Sequence, residues 1–383
     1  MQMNTKLLHG YPVIDPATGA SSIPKYQAST FNSPALGVNH DYMYTRFGNP
    51  TVHALEEGIA SLENAKYAYA FSSGMAAIST TLMLLKQNEH IILPIKVYGG
   101  TGEFAHSFLS RYGVEVSFVD FSDINKIEQA IKDNTAFIYL ETPSNPLLDV
   151  TDIQEVVALA KKYNILTIAD NTFMTPVYQK PLDLGCDIVI ESMTKFINGH
   201  SDVIAGAVAT NNSQIAKTLY DFQKEFGGIL GVEDAWLILR GMKTLGLRMS
   251  QSVKNAQAIA EFLQKSDKVN KVYFPGLATS NDYAIQNKQA KNGGCVLSFE
   301  LKKCDKISLN KFIHALKIPI FAVSLGGVES ILSHPATMSH ACLSPEEREA
   351  QGVTDGLLRL SCGIEDTEDL LEDLTNALQS IDD

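Results

Sequence analysis

Cysteine is scarce in this chain and never clustered. There are five, Cys186, Cys295, Cys304, Cys342 and Cys362, with no CxxC pair. An odd and scattered set argues against a disulfide-framed secreted module and points to reduced, mostly buried thiols in a cytoplasmic protein. Positive charge is short as well: 31 Lys and Arg face 43 Asp and Glu, a net charge of −12. So acidic a chain is a poor partner for nucleic acid or an anionic membrane surface, although a local basic pocket can still hold a small anion. No apolar run is long enough to cross a bilayer. The first residues, MQMNTKLLHGYPV, lack the apolar core and small-residue cleavage site of a secretory leader. There is no internal repeat and no low-complexity tract. What remains is an ordinary globular composition, 45% hydrophobic and 19% charged, in 383 residues. That length allows two to three domains.

Residues 1–48 show little regular pattern and read as an extended N-terminal arm. Asn49 and Pro50 then open a helix, the first as a cap and the second at the first helical position. Its apolar stripe is Val52, Leu55, Ile59 and Leu62. Over 49–245, short apolar runs alternate with helical stretches: YAYAF (67–71), HIILPI (90–95), VEVSFVD (114–120), AFIYLE (136–141), ILTIAD (165–170), DIVIES (187–192) and AGAVAT (205–210). Thr151 and Gln154 form a capping-box pattern ahead of one of those helices. This alternation predicts an α/β domain with a mostly parallel central sheet covered by helices. From 246 to 383 a long helix, KVYFP, CVLSFEL and LLRLSCG, and an amphipathic last helix predict a smaller α+β domain.

Ligands of such sheets gather at the carboxyl ends of the strands. The first strand runs into FSSGMAA, where Ser72, Ser73, Gly74 and Met75 open a helix with free amides, suited to phosphate. Other strands end in Asp170, in Ser192 with Thr194 and Lys195 just beyond, and in Glu141 before TPSNP. A phosphate cradle, a carboxylate and a lysine together suit a cofactor with a phosphate, a basic ring nitrogen and an aldehyde, which is pyridoxal 5′-phosphate. Taken singly, each feature has a plain structural reading: a solvated lysine, a turn-capping aspartate, a helix start. His200, His334 and His340 fit no standard zinc spacing and read as packing or hydrogen-bonding residues.

The stretch DIVIESMTKFINGHS (187–201) resembles the pyridoxal-phosphate lysine signature of the Cys/Met-metabolism enzymes, the family of cystathionine lyases, cystathionine synthases and methionine γ-lyases. The resemblance continues in order through YTRFGNPT, VYGGT, ETPSNP, ADNTF, AWLILRGMKTLGLRM, AVSLGGVESILSHPATMSH and GLLRLSCGIED, nearly the whole chain. It implies the aspartate-aminotransferase-like fold type I and a homotetramer built from two catalytic dimers. It also implies roles. Lys195 would bind the cofactor aldehyde and later move protons, and Asp170 would face the ring nitrogen. Gly74, Met75, Ser192 and Thr194 would hold the phosphate. Tyr44 and Arg46 would reach the phosphate of the neighbouring subunit. Tyr98 would stack on the ring and exchange protons. Arg359 would grip the substrate carboxylate, helped by Asn145 and Ser324.

Three departures bear on substrate choice: Met193 between the hydroxyls, Ile95 and Lys96 where acidic residues are frequent, and Glu103 where many members have an arginine. Glu329, with Glu103, is placed by the resemblance to attract the distal ammonium of cystathionine. The expected reaction is γ-elimination of L-cystathionine to L-cysteine, 2-oxobutyrate and ammonia, with some β-lyase activity. Alternatives are β-elimination to homocysteine, pyruvate and ammonia, γ-replacement on an O-acylhomoserine, and a non-catalytic protein that kept the fold.

Overall fold

Two sheets organise the computed structural model, which describes residues 1–38, 40–341 and 344–381. The larger has seven strands: β1 (Tyr67–Phe71), β2 (His90–Pro94), β3 (Glu115–Val119), β4 (Thr135–Glu141), β5 (Leu166–Asp170), β6 (Ile188–Glu191) and β7 (Gly206–Thr210). Their order is β1-β7-β6-β5-β4-β2-β3. Six strands run one way. β7 pairs antiparallel with both neighbours, β1 and β6. β6 and β7 are buried along their whole length and β4 at every position but Ala136, because helices cover both faces of the sheet.

The smaller sheet holds β8 (Val269–Tyr273), β9 (Val296–Leu301), β10 (Ile320–Phe321), β11 (Ile331–Ser333) and β12 (Leu357–Ser361), in the order β10-β11-β12-β9-β8. It is mostly antiparallel. Its core lies against the long helix Leu245–Lys265 and the last helix Thr367–Gln379. β10 and β11 are additions to the strands expected from sequence.

The arm and one helix cap differ from the sequence expectation. Met3–His9 is helical, and Leu7 on it is buried in the main core beside Leu55 and Leu245. The rest of the arm is irregular but tied down: Asn49 caps Thr51 and also donates to the Tyr26 carbonyl at 2.8 Å. The cap of the helix Ile153–Lys162 is Asp152, which accepts from the Glu155 amide at 3.1 Å, in place of the expected Thr151 and Gln154. Asp caps as well as Thr, and the helix starts one residue later. Cys186, Cys295 and Cys362 are buried, whereas Cys304 is exposed, and Cys342 lies outside the described residues. No helix among the described residues is long and apolar enough to cross a membrane.

Candidate active site

The carboxyl ends of β1, β6, β5 and β4 meet along one edge of the large sheet. β1 ends at Phe71 and turns into the helix Gly74–Leu82. Ser73 caps that helix by accepting from the Ala76 amide at 2.9 Å, which leaves the first amides pointing outward. A Cβ built on Gly74 would lie 3.0 Å from the Ser192 hydroxyl, and one on Gly206 would lie 2.8 Å from the Gly74 Cα. Both glycines therefore let the helix N-terminus pack closely against Ser192 and β7. Thr194, expected beside them, spends its hydroxyl on Ala205: it donates to that carbonyl at 3.1 Å and accepts from that amide at 2.9 Å. Its visible work is to pin the lysine turn to the start of β7.

Asp170 closes β5 and is 8% exposed. Its carboxylate accepts from the Thr172 amide at 3.0 Å and from the Tyr139 hydroxyl at 3.3 Å. Burial pushes its pKa above the ordinary range. The Thr172 hydroxyl in turn accepts from the Ser192 amide at 2.9 Å, joining the ends of β5 and β6.

Lys195 sits in the turn after β6, where its amine donates to the Ser324 hydroxyl at 2.8 Å. Burial, and then the nearby Arg359 guanidinium, lower its pKa to about 8. The backbone just beyond it is held by Arg248, which donates to the carbonyls of Phe196 (2.7 Å) and Ile197 (3.2 Å). Gly199 has φ of 75°, and a side chain there would collide with that guanidinium. Met193 is fully buried in the core, so this departure from the family pattern is a packing choice beneath the turn.

The small sheet contributes Arg359 on β12. It is 4% exposed, donates to Asn145 Oδ1 and to the Ser324 carbonyl, both at 2.7 Å, and has no carboxylate partner among the described residues. Its Nε is buried without an acceptor. A buried guanidinium left in this way is set to receive a carboxylate from outside the protein. Ser324 takes a left-handed backbone, φ 82°, to present its hydroxyl to Lys195 and its carbonyl to Arg359. Such a conformation in a non-glycine residue is retained where surroundings dictate it.

Tyr98 is 43% exposed, and its amide donates to Glu141 Oε2 at 2.8 Å. Burial above all, with the acidic neighbours Glu141 and Asp170, raises the phenol pKa, so it is a proton donor at neutral pH. A Cβ on Gly100 would touch both the Tyr98 ring and the Met75 sulfur, which places Met75 at the same mouth.

Four expected residues show no hydrogen bond to the residues of this cluster. Arg46 donates to the Lys224 carbonyl at 2.6 Å, stacks over Phe47 and Tyr44, and lines an open groove of about 790 Å³. Tyr44 is largely exposed beside it. Glu103 ends a short helix and points to solvent. Glu329 accepts a hydrogen bond from Ser201, beyond the lysine turn. Ile95 is exposed, and Lys96 pairs with Asp149 at 2.7 Å, fastening the loop after β4. His200, His334 and His340 each bond a carbonyl or hydroxyl. No group of three or more His, Cys, Asp or Glu among the described residues is placed to hold a metal ion.

Tyr139, Thr172 and Arg248 were not singled out from sequence. Thr172 lies inside the ADNTF motif, Arg248 inside AWLILRGMKTLGLRM and Tyr139 in the strand run AFIYLE, each without a signal of its own role.

An anion cradle at a helix N-terminus, a buried carboxylate, a desolvated amine and an orphaned guanidinium fit pyridoxal 5′-phosphate and an amino-acid substrate. The fold and site are those of a pyridoxal-phosphate enzyme of fold type I. A family model described as Cys/Met metabolism PLP-dependent enzyme matches residues 4–379, and the chain belongs to that family. It is 50% identical to the cystathionine β-lyase MetC of Bacillus subtilis (strain 168), covering 99% of this chain and 97% of the relative. It is 45% identical to the cystathionine γ-lyase of the same organism, over all of both chains. Among solved structures, cystathionine γ-lyase from Lactobacillus plantarum complexed with L-serine superposes with a TM-score of 0.97 at 41% identity, covering all of both chains.

Proposed function

We propose that this protein cleaves the carbon–sulfur bond of L-cystathionine by β-elimination, consuming one water and giving homocysteine, pyruvate and ammonia. The observation that bears most on the reaction class is the pairing of a desolvated Lys195 with an unpaired, buried Arg359, bridged by Ser324. Arg359 and Asn145 bind the substrate α-carboxylate and so fix the α-carbon relative to the lysine amine. Pyridoxal 5′-phosphate, held by the helix Gly74–Leu82, Ser192, Asp170 and Lys195, supplies the electron sink that makes the α-proton acidic. Lys195 takes that proton as a general base. The protonated phenol of Tyr98 is assigned to the departing sulfur.

The choice of β over γ departs from the expectation drawn from sequence. Glu103 is exposed and Glu329 accepts from Ser201, so neither carboxylate is tied by a hydrogen bond to the Lys195–Ser324–Arg359 group to mark a seat for the distal ammonium. The β-lyase relative is also the more similar one, 50% against 45%. γ-Elimination is the second reading, supported by the γ-lyase relative and by the solved γ-lyase. One assay separates them. Purified protein given L-cystathionine should release pyruvate and homocysteine, identified by mass. 2-Oxobutyrate with cysteine as the main products would overturn the β assignment.

We also propose a homotetramer of catalytic dimers in which Tyr44 and Arg46 complete the neighbour's phosphate site. The support is their position: both sit on the arm, away from the cluster of their own chain. Arg46→Ala is expected to weaken cofactor affinity by about tenfold or more while leaving subunit association nearly unchanged. Equilibrium dialysis and sedimentation measure the two, and unaltered cofactor affinity would sink the cross-subunit role.

A further inference from the structure

We propose that Glu141 is a positioning residue held as a neutral carboxylic acid, which seats the Tyr98 backbone and leaves Asp170 the single negative charge beneath the cofactor ring. The proposal is independent of which carbon–sulfur bond breaks, a question the keto-acid assay answers separately.

The geometry comes from the sheet. β4 and β5 are parallel and in register, with Glu141 directly opposite Asp170. Side chains at paired positions of adjacent strands share a face, so the two carboxyl groups stand side by side. Glu141 is 7% exposed and Asp170 8%. The cations of that edge are engaged elsewhere: Lys96 with Asp149, Lys195 with Ser324, and Arg359 with Asn145 and the Ser324 carbonyl. Two buried carboxylates with no cation between them cannot both stay ionised.

Hydrogen bonds do not separate the two, since each carboxyl accepts donors that favour its ionised form; Asp170 keeps the charge because it is the one that would face the protonated ring nitrogen of the cofactor. Asp170 receives two donors, the Thr172 amide and the Tyr139 hydroxyl. Donors of this kind favour the ionised form. Glu141 receives backbone amides, that of Tyr98 at 2.8 Å among them. The other titratable groups facing it are Asp170 on β5, Tyr139 on its own strand and Tyr98 on the loop after β2, with the Lys96–Asp149 pair on the neighbouring loops. Burial first, and then the Asp170 charge, raise the Glu141 pKa to about 8, in line with a proton retained at neutral pH.

The test uses the cofactor-loaded protein and its visible absorbance, titrated with pH. Glu141→Gln keeps the shape and the acceptor for Tyr98 and removes only an ionisable proton. The apparent pKa of the absorbance is expected to stay within about 0.2 units of the wild-type value. If Glu141 were ionised, the variant would delete a negative charge close to the cofactor and lower that pKa by about one unit or more, which would overturn the proposal. Glu141→Ala removes the acceptor for Tyr98 as well. Its loss of kcat/KM, about tenfold, should be markedly non-additive with that of Tyr98→Ala. Additive losses would refute the seating role.

Discussion

Lys195→Ala is expected to lower turnover at least about 10³-fold, because one side chain both anchors the cofactor and moves the α-proton. Thermal unfolding should shift by only a few degrees, roughly the effect of about 1 kcal/mol. The amine makes its one direct bond to Ser324, and the turn around it is held by Arg248, Thr194 and the buried Met193, none of which needs the lysine head group. Near-normal activity in the variant would remove Lys195 from the mechanism. The same residue makes a prediction for pH. Its pKa is lowered to about 8, so in cofactor-free protein the neutral, nucleophilic amine predominates only above that value. Labelling of Lys195 by an amine-directed reagent, followed by peptide mass spectrometry, should rise with pH through a midpoint of about 8. A midpoint near 10, as for a solvated lysine, would contradict the desolvated pocket.

Arg359→Ala should reduce kcat/KM by roughly 10²- to 10³-fold, corresponding to about 3–4 kcal/mol for a buried, bidentate carboxylate contact. Cofactor binding should change little, since Arg359 lies on β12 of the small sheet and the phosphate cradle lies on the large one. Arg359→Lys restores a charge but not the planar fork, and should recover only a small part of the loss. Steady-state kinetics beside a cofactor titration read both effects. A variant that lost cofactor and substrate affinity together would show that Arg359 supports the whole pocket and does not select the carboxylate.

The strands of the large sheet were legible because buried parallel strands are continuous apolar runs, and their ends named Asp170, Ser192 and Lys195 directly. Direction was not legible. AGAVAT is small and apolar on both faces, so nothing in it distinguishes an antiparallel β7 from a parallel one. β10 and β11 have two and three residues, too few to display a period of two. Arg248 and Tyr139 act on the site across 53 and 31 residues of chain respectively (Lys195 to Arg248, Tyr139 to Asp170), through contacts that only folding creates. For Glu103 and Glu329 the sequence suggested a role toward the distal ammonium, and the fold adds that the first is exposed and the second accepts from Ser201.

The reversed β7 stands between two strands that work together. β1 and β6 deliver Gly74 and Ser192, yet they are not neighbours: β7 enters between them at Gly206, where the flanking strands leave. The walls of the cradle nevertheless meet, because a Cβ on Gly74 would lie only 3.0 Å from the Ser192 hydroxyl. Gly206 allows it: the backbone of Ser73 and Gly74 lies directly over β7 at the one position where a side chain would hold it off. One missing methyl in the middle strand thus lets two strands that are not neighbours in the sheet act as neighbours above it.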